Sequence, residues 1–194
     1  MPLDTYFRFS TNNQYDIPLL DITLQADGYM PPMKTWGASK RNTPWSGTVN
    51  FYTHDVRFTA LKKHPDTFLK TGCNYAIEPN FSTSHELDFI YNLEAIYWKR
   101  RLARYWQTYG VRIFVDLTVD GYYDELNLLG VPPTWNAYAI RGFAEHPEWI
   151  EQAFTIACQH ADSSTPLFLV FGGGQTIATL CRQHPEWLWI ENTR

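Results

Sequence analysis

Acids, arginines and glycines recur where short β-forming runs end. His54, Asp55 and Arg57 follow NFYT; Glu78, Asn80 and Ser82 close CNYAIEPNFS; Asp116, Thr118 and Asp120 close VRIFVDLTVD. Arg141 closes NAYAIRG, Gly172, Gly173 and Gly174 close PLFLVFGGG, and Glu191 and Asn192 close EWLWIEN. In parallel β/α folds ligands bind at the carboxyl ends of strands, so these residues are expected on one rim. Asp55, Glu78 and Asp116 are the candidate catalytic groups. Arg57, Asn80, Ser82, Arg141 and the three glycines are the candidate substrate-binding groups. With Asp120, the carboxylates could hold Mg²⁺ or Mn²⁺, hard cations that take oxygen ligands, and such an ion would polarise a phosphoryl group or activate water. No ligand motif of fixed spacing is present, so no metal ligand is assigned. Paired with Arg57 and Arg141, the same acids would form a satisfied ion-pair network instead. If Asp55 and Asp116 serve a ligand, alanine at either removes binding and leaves the thermal midpoint within a few degrees.

The run FGGGQT (Phe171–Thr176) joins a strand to a helix. Its N–H groups could cradle a phosphate, or its glycines could serve a tight turn at positive φ. It matches neither the P-loop nor G-x-G-x-x-G, and no Ser-His-Asp, nucleophilic cysteine or G-x-S-x-G signature is present. Arg100 and Arg104 fall on the expected core stripe of a long helix. There they either meet buried carboxylates such as Glu78, near the amino ends of the strands, or grip nucleic acid with Trp98, Tyr105 and Trp106.

The elements that must position these residues alternate. Strands are expected at 47–55, 73–82, 111–119, 136–142, 166–174 and 186–192. Helical pieces are expected at 57–69, 84–109, 147–160 and 176–183, with Ser84 capping the longest and Gly110 closing it. Asp16–Thr23 could add a seventh strand, and 26–48 reads as a long loop. Alternation implies parallel strands with crossover helices, an α/β class. In the third strand Val111, Ile113, Val115, Leu117 and Val119 share one face, and Arg112, Phe114, Asp116, Thr118 and Asp120 share the other. One apolar and one polar face suits a compact, incomplete or distorted (β/α) barrel; an open α/β sheet is the alternative. The chain reads as one domain, 1–194, with an extension and loop over 1–46 and a β/α core over 47–194. HPEW occurs twice, at His146–Trp149 and His184–Trp187, in different contexts, and reads as coincidence.

With 194 residues, 44% hydrophobic and 16% aromatic, the chain can bury a sizeable core and is neither disordered, collagenous nor coiled-coil. No apolar run reaches the ~18–20 residues of a membrane helix, so no membrane partner is expected. The N-terminus lacks a leader pattern and the three cysteines lack pairing, which points to the cytoplasm. The net charge of −4 divides unevenly: residues 1–110 carry 12 Lys+Arg against 10 Asp+Glu, and 111–194 carry 4 against 10. A phosphate-bearing partner is thus expected at the N-terminal half, where Lys34, Lys40 and Arg41, Lys62 and Lys63, and Lys99, Arg100, Arg101 and Arg104 cluster.

NFYTHDVRF (50–58), AIEPNFS (76–82), KRRLARYWQTYG (99–110), LLGVP (128–132), AYAIRG (137–142) and VFGG (170–173) together resemble an uncharacterised domain-of-unknown-function family common in bacteriophage and mobile-element genomes. The resemblance covers about residues 47–175. Asn80 stands where that family usually has Asp, so a ligand or base role is not carried over to it. The resemblance implies a mobile-element context and no particular reaction. Nucleic acid or nucleotide phosphate, handled with or without a divalent metal, is therefore the first functional expectation. A non-catalytic protein-interaction module and a small-molecule barrel enzyme are the alternatives.

Overall fold

Seven short parallel strands form one sheet whose spatial order is the order of the chain, β1 to β7. The computed structural model describes residues 8–37 and 46–192. The strands are β1 (Met33–Thr35), β2 (Thr48–Asn50), β3 (Tyr75–Ile77), β4 (Arg112–Asp116), β5 (Ala137–Arg141), β6 (Leu167–Phe171) and β7 (Trp187–Ile190). The α-helices are α1 (Asp66–Leu69), α2 (Phe89–Gln107), α3 (Asp124–Asn127), α4 (Glu148–Ala161) and α5 (Gly174–Cys181).

Sequential order with one crossover hand places every helix on the same side. The sheet accordingly curls into a half-barrel, and β1 and β7 remain its edges. The α/β class and the incomplete barrel are both borne out, and the sheet stays open.

Side-chain alternation sorts the core. Val49, Ala76, Ile113, Val115, Tyr138 and Phe168 face outward and pack with Leu102 and Trp106 of α2, Ile150 and Ala157 of α4 and Ile177 of α5. Ile77, Phe114, Ala137, Ala139, Leu169 and Phe171 face inward and pack with Tyr52 and Ala26. The outward placement of Ile113, Val115 and Leu117 agrees with the sequence. The inner face departs from the expected polar one: Phe114 is fully buried, because the curl closes the concave side around its own residues. Polar groups keep to the strand ends.

Several boundaries differ from the sequence reading: β2 ends at Asn50 and β3 at Ile77, short of the expected 55 and 82, and the expected helical piece at 57–69 is α1 preceded by 3₁₀ turns. The added strand is Met33–Thr35, inside the expected loop, while Asp16–Thr23 runs into a 3₁₀ turn at Ile22–Leu24. Lys40 and Arg41 lie outside the described residues. Helix α2 begins at Phe89 with Asp88 as N-cap, not at Ser84. The buried Asn92 explains the late start. Its amide donates to the carbonyls of Ser84, Leu87 and Asp88 and its oxygen accepts the Ser84 N–H, fixing residues 84–88 as a loop across the helix end.

The two HPEW copies adopt one local structure, so their identity has a physical basis. In each, the Trp N–H bonds the His carbonyl, at 3.3 and 3.0 Å. The His ring lies flat on the Trp ring, at 4.2 and 3.8 Å, and His Nδ1 meets the Glu carboxylate at 3.2 Å. The tetrapeptide is a self-contained turn, which is why it serves before a helix and before a strand.

Candidate functional site

The carboxyl ends of β2 to β5 open into a groove. One cavity of about 610 Å³ lies between the loops after β3, β4 and β5 and helix α4. A second of about 520 Å³ lies beside it, towards the loop after β2. Asn80, Ser82 and Arg141 line both, so the two form one two-lobed groove.

Polar residues at the strand ends tie each loop to the next. Ser82 donates from N–H and Oγ to the Asp55 carboxylate at 3.0 and 3.2 Å, joining the loops after β2 and β3. Asp120 accepts the His85 N–H at 2.9 Å, contacts His85 Nδ1 at 2.7 Å, and donates its own N–H to Thr83 Oγ1 at 2.8 Å, joining the loops after β3 and β4. Thr118 Oγ1 accepts the Arg141 N–H at 2.9 Å, joining β4 to β5.

Glu78 and Asp116 sit beneath this rim, fully buried. The Arg100 guanidinium donates to Glu78 Oε1 and to the carbonyls of Leu129 and Asn127. Lys99 Nζ donates to the Asp116 carbonyl at 2.8 Å and carboxylate at 3.2 Å, and to Asn127 Oδ1 at 2.9 Å. Asp116 Oδ1 also accepts the Tyr52 hydroxyl at 3.0 Å. Burial and that carboxylate push the Tyr52 phenol well above its ordinary range, so it stays a donor. Two cations thus meet two anions away from solvent, with the remaining polar atoms bonded. The partner the sequence offered for Arg100 is the partner found, at the carboxyl ends of the strands and not the amino ends. The Lys99–Arg104 run is therefore no basic surface patch. A grip on nucleic acid by Arg100 and Trp106 is closed off by their complete burial.

The other candidates divide. Asp55, Asn80, Ser82 and Arg141 line the groove. Arg57 points elsewhere, donating to the Gly37 carbonyl at 3.1 Å. Gly172, Gly173 and Gly174 all have positive φ and form the turn into α5, with the Gly172 carbonyl taken by Trp189 Nε1 at 2.9 Å. They line neither lobe. Among the described residues no three His, Cys, Asp or Glu side chains gather as a metal site. The four carboxylates weighed for Mg²⁺ or Mn²⁺ are each taken by another partner: Glu78 and Asp116 by Arg100 and Lys99, Asp55 by Ser82, and Asp120 by His85.

Sequence reasoning passed over His85, Asp124, Phe143 and Trp149, which line the larger lobe. Burial, then the nearby Asp120 charge, push the Asp124 carboxyl up to about 6. The Asp120 hydrogen bond and charge hold the His85 imidazolium to higher pH than usual. Burial would raise Asp120 itself, but the bonds from His85 and Tyr122 outweigh it, so this carboxyl titrates below its ordinary value. The Arg141 guanidinium lies over the Phe143 ring at 5.1 Å, and Phe143 meets Trp149 edge-on at 5.6 Å. Among the described residues no carboxylate comes within ion-pair reach of Arg141, and its guanidinium makes no hydrogen bond. None of these four stands at a strand's last residue, the position that the strand-end rule reads.

These features define a singly wound parallel α/β half-barrel with a polar groove at the carboxyl ends of its strands. The chain belongs to the family described as Domain of unknown function (DUF4417), whose model matches residues 9–124. The expected membership of a family of unknown function is borne out. The match ends at Asp124, so Arg141, Phe143, Trp149 and the glycine turn lie beyond it. No curated protein and no solved structure matches the chain. No helix among the described residues is long and apolar enough to cross a membrane.

Proposed function

We propose that this protein holds the phosphate of a nucleotide or of single-stranded nucleic acid in the carboxyl-end groove. The observation that carries this reading is Arg141. Its guanidinium stands at the junction of the two lobes without a counter-ion among the described residues, while Lys99 and Arg100 each have one. A guanidinium stacked on an aromatic ring and turned to a cavity is suited to a phosphate or carboxylate. The exposed Tyr122 adds a flat face on which a base can stack. Service to a bacteriophage or other mobile element belongs to the proposal through the family resemblance. Cytoplasmic action belongs to it through Cys73, Cys158 and Cys181, which form no disulfide among the described residues.

The test is fluorescence anisotropy with labelled single-stranded DNA, and competition by mononucleotides, duplex DNA and inorganic phosphate, with and without Mg²⁺ or Mn²⁺. The protein is expected to bind single strands or nucleotides. Arg141→Ala is expected to weaken binding by about 10–100-fold, the loss of one charged hydrogen-bonding partner, with an unchanged thermal midpoint because the side chain is exposed. Absence of binding by the unaltered protein to every phosphate ligand overturns the reading.

A second reading, a protein-docking module, rests on a different surface. Leu87, Phe89, Ile90 and Tyr91 expose 49%, 48%, 62% and 60% of their area at the start of α2. Contiguous exposed apolar residues of this kind mark interaction surfaces. Ile90→Glu is expected to leave nucleotide binding intact; self-association lost in that variant, seen by light scattering, would favour this reading.

A further inference from the structure

We infer that the larger lobe hydrolyses phosphodiesters: Arg141 holds the phosphate, the Asp124 carboxylate takes a proton from the attacking water, and His85 gives one to the leaving oxygen. The inference rests on the phosphate-binding reading above and adds a reaction to it.

His85, Asp124 and Arg141 line one cavity, of a size that accepts a nucleotide. Asp120 holds His85 from two directions, contacting Nδ1 at 2.7 Å and accepting the backbone N–H at 2.9 Å. The proton on Nδ1 is thereby fixed, and Nε2, which has no partner among the described residues, is left to act on a ligand. Asp120 is in turn held by the Tyr122 N–H at 3.1 Å. It is a positioning residue, because it acts through His85.

The charges favour this division of roles. Asp120 and Glu86 face His85, and Asp120 faces Asp124. At a pH above the Asp124 value of about 6 and below the raised His85 value, the Asp124 carboxyl has lost its proton and the imidazole keeps its own, the states needed for a general base and a general acid. One unpaired guanidinium beside two carboxylates suits a singly charged diester better than a doubly charged monoester. In the step, the water oxygen bonds to phosphorus while its proton passes to Asp124. The bond from phosphorus to the leaving oxygen breaks as that oxygen takes the proton of His85 Nε2. Asp124 ends protonated and His85 neutral, solvent exchange restores both, and nothing is oxidised or reduced.

The experiment follows cleavage of a labelled single-stranded oligonucleotide and of bis(p-nitrophenyl) phosphate in excess chelator, with binding measured in parallel. His85→Gln and Asp124→Asn are each expected to lower turnover by about 10²–10⁴-fold while binding is kept. Turnover is expected to rise with pH through about 6, as Asp124 ionises, and to fall above the His85 value, which lies over 6.5. Asp120→Asn should move both limbs to lower pH, the alkaline one through His85 and the acid one through Asp124. Binding without turnover, turnover that survives both substitutions, or turnover that needs an added cation overturns this inference and leaves the binding proposal standing. Absence of binding overturns both.

Discussion

Arg100→Met is expected to lower the thermal midpoint of unfolding by about 6–20 °C, the equivalent of ~3–5 kcal/mol for a chain of this size. The reason is the Glu78 carboxylate, which has no exposure to solvent and whose charged partner is this guanidinium. Removing the cation strands the anion, and two backbone carbonyls, of Leu129 and Asn127, lose their donor as well. Adding Glu78→Gln is expected to restore part of the loss, since the amide still accepts the Asp116 N–H at 3.3 Å and carries no charge. Lys99→Met should behave similarly through Asp116. Scanning calorimetry of the single and double variants checks this. A single variant within about 2 °C of the unaltered protein would mean that water reaches the network. The result bears on function directly. Asp116→Ala is expected to destabilise strongly, not to leave the midpoint unchanged as its strand-end position suggested. Lost binding in that variant would report lost structure, whereas Asp55, half-buried and with its carboxylate bonded to Ser82, remains open to a clean test.

Gly173→Ala is expected to destabilise by about 2–5 kcal/mol, from left-handed strain and overpacking together. At Gly173 φ is +76°, and a Cβ there would lie 2.2 Å from Ile177 Cγ1 and 3.1 Å from the Gly142 carbonyl carbon. Ile177 is fully buried, so it cannot swing away. Gly174, at φ +64°, has open space around it, and Gly174→Ala is expected to show only the backbone strain of about 1–2 kcal/mol. Chemical denaturation of both variants separates the two effects. Equal losses would show that the turn shifts to admit the methyl group. The larger loss at Gly173 would show that this glycine brings the loops after β5 and β6 together. Of the two roles weighed for the glycine run, the geometry supports this one.

The sequence by itself determined the α/β class, the parallel strands and the outward apolar stripe of β4, because period-2 and helical patterning act locally and survive any tertiary arrangement. It also supplied Glu78 as the partner of Arg100, since an arginine on a helix's core stripe demands a buried anion. Only the tertiary structure decided which polar strand-end residues face a ligand. Asp55 and Asp116 look alike in sequence, yet one lies on the groove and the other is sealed under Tyr52 by Lys99, a residue 17 positions earlier that charge patterning places in a basic cluster. The His85–Asp120 pair spans 35 residues, and the cavity around Asp124 and Arg141 exists only because the sheet curls to bring the loops after β3, β4 and β5 against α4. Patterning along the chain records which face a residue takes. Which of these polar residues meet one another depends on long-range closure, and that closure set the candidate site.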